Sequence, residues 1–432
     1  MRVFIGTVDI AGYQSSLAEG FAELGVDVVR VAYVRHPFGY VPPDRPGWMF
    51  RLIGYTAARR GAAATRGSAS RHAWRVAQFP IRAILLAWVI LRCDAVLLGY
   101  GSRVFSRFDL PLLRLCRKPV VCSFHGSDSR PPYIDGFLSR PDARANHVLR
   151  QTKRTIRRIR WHERFATAIV SHAPSSQLHR RPFVPSFVMG SPTRQIANEP
   201  VPRMGEPGPV RILHAPSNPD LKGTEVIRAT IDRLVARGHK IDFIEIRGRP
   251  NSDVIAALWS SDLVVDQVYS DQPLASFAAE AASLGVPTVV SGYAADDPDA
   301  KLTPVPSLFV RPEQLEDAIV ELLEHPEERV ALGRRAYEFV THEWHPREVA
   351  QRYLALLNGT ASPEWLLDPR TITYPLGCGL HREAAAKVIR DLIAHYGIGA
   401  LGVEDNPELE QRLIDIAVST QKSAAVSAST AL

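Results

Sequence analysis

Lys222 and Glu280 are the residues whose types and settings most readily do chemistry together. Lys222 lies in the segment His214-Ala215-Pro216-Ser217-Asn218-Pro219-Asp220-Leu221-Lys222-Gly223, between a strand-like run at 210–213 and a helix-like run at 224–236. A lysine and free backbone amides at a strand-to-helix turn suit a diphosphate. The plainer alternative is an ordinary lysine at the start of a helix. There it opposes the helix dipole, so an anionic partner is favoured. Glu280 lies in Ser276-Phe277-Ala278-Ala279-Glu280-Ala281-Ala282-Ser283-Leu284-Gly285-Val286-Pro287, with no cation beside it. A carboxylate among small apolar residues usually has a hydroxyl or an amide to meet. Its apolar flanks argue against a glutamate that simply faces solvent. The two segments are expected to hold a nucleotide sugar between them.

A third candidate is His125-Gly126-Ser127-Asp128, which follows a strand pattern at 119–124. Ligands of parallel sheets bind at the carboxyl ends of strands. A lone histidine is more often structural than catalytic, but its place at a strand end, followed by Gly, Ser and Asp, favours the functional reading. The turn at 9–14, with Gly12 and Tyr13, follows the first strand pattern and belongs to the same end of the sheet.

Two β/α series are needed to position these segments. A chain of 432 residues is long for one domain, so two domains and an appendage are expected. Residues 3–7 read as a strand, 15–24 as a helix ended by Gly25, and 28–34 as a second strand. This opens a doubly wound sheet. Its first turn has no G-x-G-x-x-G, so the ordinary NAD fingerprint is absent. Strands at 94–98 and 119–124 flank a helix at 108–117, and 167–171 and 183–187 read as short closing strands. Residues 196–209 hold four prolines and two glycines, which marks a linker. Strand-helix units follow from Val210. The expected fold is therefore α/β, with two Rossmann-like β/α/β domains facing a cleft. They cover 1–195 and 210–345, with the linker at 196–209. A helix at 346–360 is expected to return toward the first domain, and 361–432 to form a small helical appendage. Its helices fall at about 381–395 and 404–417, and its Ser/Ala-rich tail from Ser419 is expected to fray.

Composition excludes several classes. Hydrophobic content of 46% with 22% charged residues describes a folded protein. Cys93, Cys116, Cys122 and Cys378 form no close pair, so neither a zinc motif nor a disulfide framework is expected. Buried thiols in a reducing compartment fit better. The first residues enter a strand pattern directly, so no signal peptide is expected, and the apolar run at 83–91 is too short to span a bilayer. The net charge is +7, unevenly placed. Arg45, Arg51, Arg59, Arg60, Arg66, Arg71, Arg75, Arg82 and Arg92 occur with no acid between Asp44 and Asp94. Residues 59–71 are expected to be a mobile loop, and 72–92 an amphipathic helix bent at Pro80 with Trp74, Phe79 and Trp88 on its apolar side. The stretch 45–92 is either a surface for anionic membrane or a core helix with a solvated basic face. The basic helix at 144–164 reads as a solvated face. No aromatic-interleaved pattern supports nucleic acid, so none is expected as a partner. Asp297-Pro298-Asp299 fits an Asp-x-Asp metal pattern but is most simply polar turn chemistry, so no metal is expected.

Two β/α series, a glycine turn in the first, and Lys222-Gly223 and Glu280 in the second resemble a GT-B glycosyltransferase. The closest likeness is to the retaining group called family 4, related to bacterial surface-polysaccharide transferases. It is strongest over 211–290, weaker over 1–7 and 119–130, and ends near 361. The resemblance implies that Lys222 contacts the donor diphosphate and stabilises the departing nucleoside diphosphate. It implies that Glu280 holds ribose hydroxyls, that Gly12 lets backbone approach the phosphate or acceptor, and that His125 contacts the transferred sugar. Ser217, Asn218, Gly223, Leu274, Ala275 and Ser276 complete the donor side, with Tyr13 and Asp128 toward the acceptor. Two positions depart from the pattern. The family's paired glutamates are spaced E-x7-E, and the first is Gln272 here, next to Asp271. The arginine that many relatives carry five residues before the lysine is Ser217. The resemblance implies a metal-independent, hexosyltransferase-like enzyme without a cofactor. It would move a sugar, with retention, from a nucleotide sugar to a hydroxyl of a glycan, lipid-linked or other acceptor. It would work in the cytoplasm, on the inner face of the membrane. Two rivals are a GT-B-like sugar-nucleotide epimerase, for which His125 and Asp128 are the acid/base candidates, and an inactive nucleotide-sugar-binding scaffold, which the two departures permit.

Overall fold

The computed structural model describes residues 1–33, 47–62, 68–99, 101–138, 142–201, 208–296 and 306–429. The first half runs β1 (Arg2–Thr7), α1 (Tyr13–Glu23), β2 (Asp27–Ala32), α2 (Trp48–Ala62), α3 (Ser68–Arg92), β3 (Ala95–Gly99), α4 (Asp109–Leu115), β4 (Val120–Ser123), α5 (Ala145–Phe165), β5 (Ala168–Ser171), β6 (Val184–Pro185) and α6 (Ser186–Met189). β1, β3 and β4 are runs of apolar residues buried along most of their length, as strands covered on both faces must be. The six strands pair in parallel in the order β2-β1-β3-β4-β5-β6.

The second half runs β7 (Val210–His214), α7 (Pro219–Lys222), α8 (Thr224–Ala236), β8 (Ile241–Glu245), α9 (Asn251–Leu258), β9 (Leu263–Val265), α10 (Ser276–Ala282), β10 (Thr288–Ser291), β11 (Leu308–Val310), α11 (Leu315–Glu324), α12 (Pro326–His342), α13 (Pro346–Asn358), α14 (Arg382–Tyr396) and α15 (Pro407–Ser429). Its five strands form a second parallel sheet in the order β11-β10-β9-β7-β8. Helical spacing sets the packing: Ile227, Ile231 and Leu234 of α8 face Ile212 and Val265 of the sheet.

The chain changes direction across the first sheet between β2 and β3, so its helices fall on opposite faces. α1 takes one face together with α13, where Leu17, Phe21, Val349, Tyr353 and Leu357 share a core. A Cβ on Gly20 would come within 1.9 Å of the Pro346 carbonyl oxygen, so only glycine permits this approach. α2, α3, α4 and α5 contribute to the core on the other face.

Several expectations are corrected. Helix replaces the expected loop over 59–62 and 68–71, because Ala and Arg favour helix once flanking residues are packed; 63–67 lie outside the described residues. Within α3, Phe79 is exposed and Trp88 packs edge-on to Phe50, while Ile81, Leu85, Leu86 and Val89 are the residues on the core. His72–Arg92 is long and apolar enough to cross a membrane by length and composition, although one side of it is packed on the sheet. β6 is shorter than the strand expected at 183–187, giving way to α6 at Ser186. The C-terminal helices are not appended to the surface. Ala385, Ile389, Leu392, Leu409 and Leu413 share a core with Tyr133, Val148 and Ile159 of the first domain. The tail continues as helix to Ser429 instead of fraying from Ser419. The Asp297-Pro298-Asp299 motif and Arg45 lie outside the described residues.

Candidate active site

β7 ends at His214, and Ala215, Pro216 and Ser217 turn the chain into α7. Asn218 caps α7, its side-chain oxygen accepting from the Leu221 N–H at 3.4 Å. Gly223 then takes φ 69°, and a Cβ there would stand 2.6 Å from the Val268 side chain. This glycine lets α7 break directly into α8 and leaves Lys222 at the carboxyl end of the sheet. The Lys222 ammonium donates to Asp266 Oδ1 at 2.9 Å. Asp266 follows β9 and is buried, and its other oxygen has no hydrogen-bond partner among the described residues.

α10 packs through Ala278, Ala279, Ala281 and Ala282, which bring its backbone close to the core. Glu280 sits on the remaining side and accepts from the Asn251 side-chain amide at 2.9 Å. Ser217, Lys222 and Glu280 line one cavity of about 340 Å³, with Arg249 before α9, Asn251 at its start, and Ile10 and Ala11 from the first domain. A second cavity of about 220 Å³ joins Gly12, Tyr13, Ser276 and Glu280. A third, of about 130 Å³, joins Tyr13 and His125 to Gln272, Leu274, Ala275 and Ser276. The three meet at Ser276, and each takes residues from both domains.

The structure thus brings together Gly12, Tyr13, His125, Ser217, Lys222, Leu274, Ala275, Ser276 and Glu280. Asn218 and Gly223 line none of these cavities; they shape the turn that carries Lys222. Asp128 also lines none of them. Its Oδ1 accepts from the His125 N–H at 2.8 Å, so the carboxylate is turned back to hold the loop rather than to meet an acceptor. His125 packs so closely on β3 that a Cβ on Gly99 would be 2.9 Å from its Nε2. The Tyr13 ring meets it edge-on at 5.3 Å. The Tyr13 hydroxyl is hydrogen-bonded to that of Tyr353, which is bonded in turn to Ser123, both at 2.9 Å. α13 thereby fixes the floor of the third cavity.

Residues not anticipated from the sequence complete the site. His172 lines the third cavity and is hydrogen-bonded to Ser186. It follows β5 just as His125 follows β4, so the strand-end rule carried a signal for it. Behind it lies buried Arg130, whose Nε donates to Asp271 at 3.1 Å and whose Nη1 stands 3.5 Å from Asp135. Ser175 also donates to Asp271. Burial pushes the Asp271 carboxyl up, but the Arg130 guanidinium and the Ser175 hydrogen bond outweigh it and hold the group below its ordinary range. This cluster joins the His125 loop to the 271–276 loop across the two domains.

Burial pushes His125 down to about 3, and pushes both His172 and His162 down to about 4. These rings are neutral at pH 7. A folded-state value depressed below the unfolded one gives stability that is present above about pH 6.5 and is lost as pH falls toward the folded values. Asp128 acts oppositely, because burial raises it to about 6. Burial also lowers His179 and His214 and raises Asp109 and Asp135, so five histidines against three aspartates give a net loss on acidification. The melting temperature is expected to fall between pH 7 and pH 5; a rise over that window would mean the histidines are charged in the fold.

No family model matches the sequence, and no curated protein matches it. Solved structures are similar in fold. The trehalose-6-phosphate phosphatase N-terminal domain of Candida albicans aligns with a TM-score of 0.50 at 10% identity, over 83% of this chain and 96% of that one. The chain has the GT-B fold. Two weaker likenesses span the same share of this chain. HepE of Anabaena in complex with UDP and glucose gives 0.47 at 11% identity, covering 83% of this chain and 99% of that one. The α,α-trehalose 6-phosphate synthase of Burkholderia multivorans gives 0.48 at 13% identity, covering 83% and 98%.

Proposed function

We propose that the protein is a glycosyltransferase that moves a sugar from a nucleotide-diphosphate donor to a hydroxyl of a glycan or lipid-linked acceptor. The observation that carries this reading is the shared cavity of Lys222 and Glu280, at the carboxyl ends of the strands and closed by residues of the other domain. The Lys222 ammonium and backbone amides of the 272–276 loop face the diphosphate, and Glu280 accepts from the ribose hydroxyls of the nucleotide. The bond between the anomeric carbon and phosphate oxygen breaks, and its electron pair leaves with the diphosphate. The acceptor oxygen bonds the same carbon from the same face. Its proton passes to the departing phosphate oxygen, which gives retention in the manner of family 4. Charge on the leaving group is met by Lys222 and the amides, without a metal ion or a cofactor.

A membrane-borne acceptor belongs to this reading. Trp48, Tyr55, Val76, Phe79 and Leu91 are exposed apolar residues on the two helices of the arginine-rich stretch, which supports contact with anionic lipid on the inner face of the membrane. The test incubates the protein with UDP-, GDP-, ADP- and dTDP-sugars and membrane extract, and measures released nucleoside diphosphate and labelled product. Release that depends on the acceptor is expected. Interconversion of the donor without acceptor would favour an epimerase, and ligand-induced stabilisation without turnover a scaffold. Flotation with anionic vesicles in the same extract buffer tests the membrane contact, which fails if binding is absent or insensitive to salt.

A further inference from the structure

The third cavity differs from its neighbours in charge. Among the described residues it is lined by Tyr13, His125, His172, Ser186, Gln272, Ser276 and other neutral groups, with no Asp, Glu, Lys or Arg. It shares Ile10, Ala275 and Ser276 with the cavity of Lys222 and Glu280, so it is the compartment next to the diphosphate position. Its volume of about 130 Å³ holds several waters, at about 30 Å³ each, which a bound sugar would displace. Phe187 and Trp344 give it an aromatic wall suited to the C–H face of a ring.

We infer that this compartment selects an uncharged sugar and rejects a uronic acid. The inference rests on the glycosyltransferase reading and adds the charge class of the transferred group. A carboxylate placed here would leave water without gaining a cation. Cations close to the cavity are already committed: Lys222 is held by Asp266, Arg130 lies between Asp271 and Asp135, and Arg352, beside Gly190, pairs with Glu343. Behind the wall one guanidinium faces two carboxylates, so the field from that cluster does not favour a further anion. Both histidines are neutral at pH 7, because burial lowers them to about 3 and about 4. Gln272 stands where the resemblance places a glutamate, which leaves a neutral amide that can both donate to and accept from sugar hydroxyls.

The test first finds, by thermal shift, the nucleoside diphosphate that stabilises the full chain most. It then compares dissociation constants for that nucleotide carrying a neutral hexose and carrying the matching hexuronic acid. The uronate is expected to bind roughly a hundredfold more weakly, the effect of an unpaired buried charge. Gln272→Lys is expected to narrow that gap by at least about tenfold, since one paired charge is worth that much. Equal binding of the two sugars, or tighter binding of the uronate, would overturn the inference and leave the transferase reading standing. If no nucleoside diphosphate binds, the transferase reading fails and the inference goes with it.

Discussion

Lys222→Ala should lower sugar transfer by about a hundred- to a thousandfold, the usual loss when one donor to a developing anion is removed. The lysine has two neighbours to satisfy. It already donates to Asp266 at 2.9 Å and still lines the cavity, so a bound diphosphate would share it with that carboxylate. Removing the ammonium therefore does two things. It takes a cation from the leaving group, and it leaves Asp266 buried without its ion pair. The second effect lowers stability and would confuse a plain activity measurement. Lys222→Ala combined with Asp266→Asn separates them. The double variant should recover most of the melting temperature and none of the transfer rate. Recovery of activity along with stability would show that Lys222 serves the fold and not the phosphate. Glu280→Ala provides an independent check in the same assay. It removes a charged acceptor from the same cavity and should weaken donor binding by roughly ten- to a hundredfold.

Arg130→Met should destabilise the protein by about 3–5 kcal/mol, since it strands buried carboxylates without their cation. Asp271 is the partner in the second domain and Asp135 the partner in the first, and all three side chains are almost wholly buried. The pair also sits where the chain closes on itself. The Gly136 N–H donates to the Cys378 carbonyl at 3.0 Å, and the Gly379 N–H donates to the Tyr269 carbonyl at 2.9 Å. A segment from beyond α13 is thus wedged between the His125 loop and the 269–272 loop. Losing Arg130 should loosen both domains at once, so one cooperative denaturation step is expected to become two. Arg130→Met with Asp271→Leu should be less damaging than the sum of the single changes, because each removes the penalty the other creates. Denaturant unfolding of the four proteins measures this. Additivity within about 0.5 kcal/mol would mean that the two residues do not act as a pair.

The ion pair also changes how the missing family glutamate is understood. At the level of sequence, Asp271 looks like an acid displaced by one position from Gln272. In the fold it is directed to Arg130 and Ser175, away from the cavity that Gln272 lines. A shift of one residue in this loop sends the side chain to the opposite side, from the third cavity to the domain joint.

The sequence by itself determined the two β/α series, the turn that presents Lys222, and Glu280 on an alanine-rich helix. Each depends on short-range rules: hydrophobic periodicity, proline and glycine punctuation, and the amides freed at a helix start. His125 at a strand end was legible for the same reason. Only the tertiary structure decided that His172 joins His125, that Asp128 turns back on its own loop, and that α14 and α15 complete the first core. It alone joined Arg130 to Asp271 across 141 residues of chain. These features depend on where distant segments meet. A buried ion pair or a shared cavity leaves no pattern in the residues next to either member, because its partner is set by packing and not by spacing. Lys222 and Glu280 could therefore be named from local chemistry, while the neutral compartment beside them appears only when both sheets are in place.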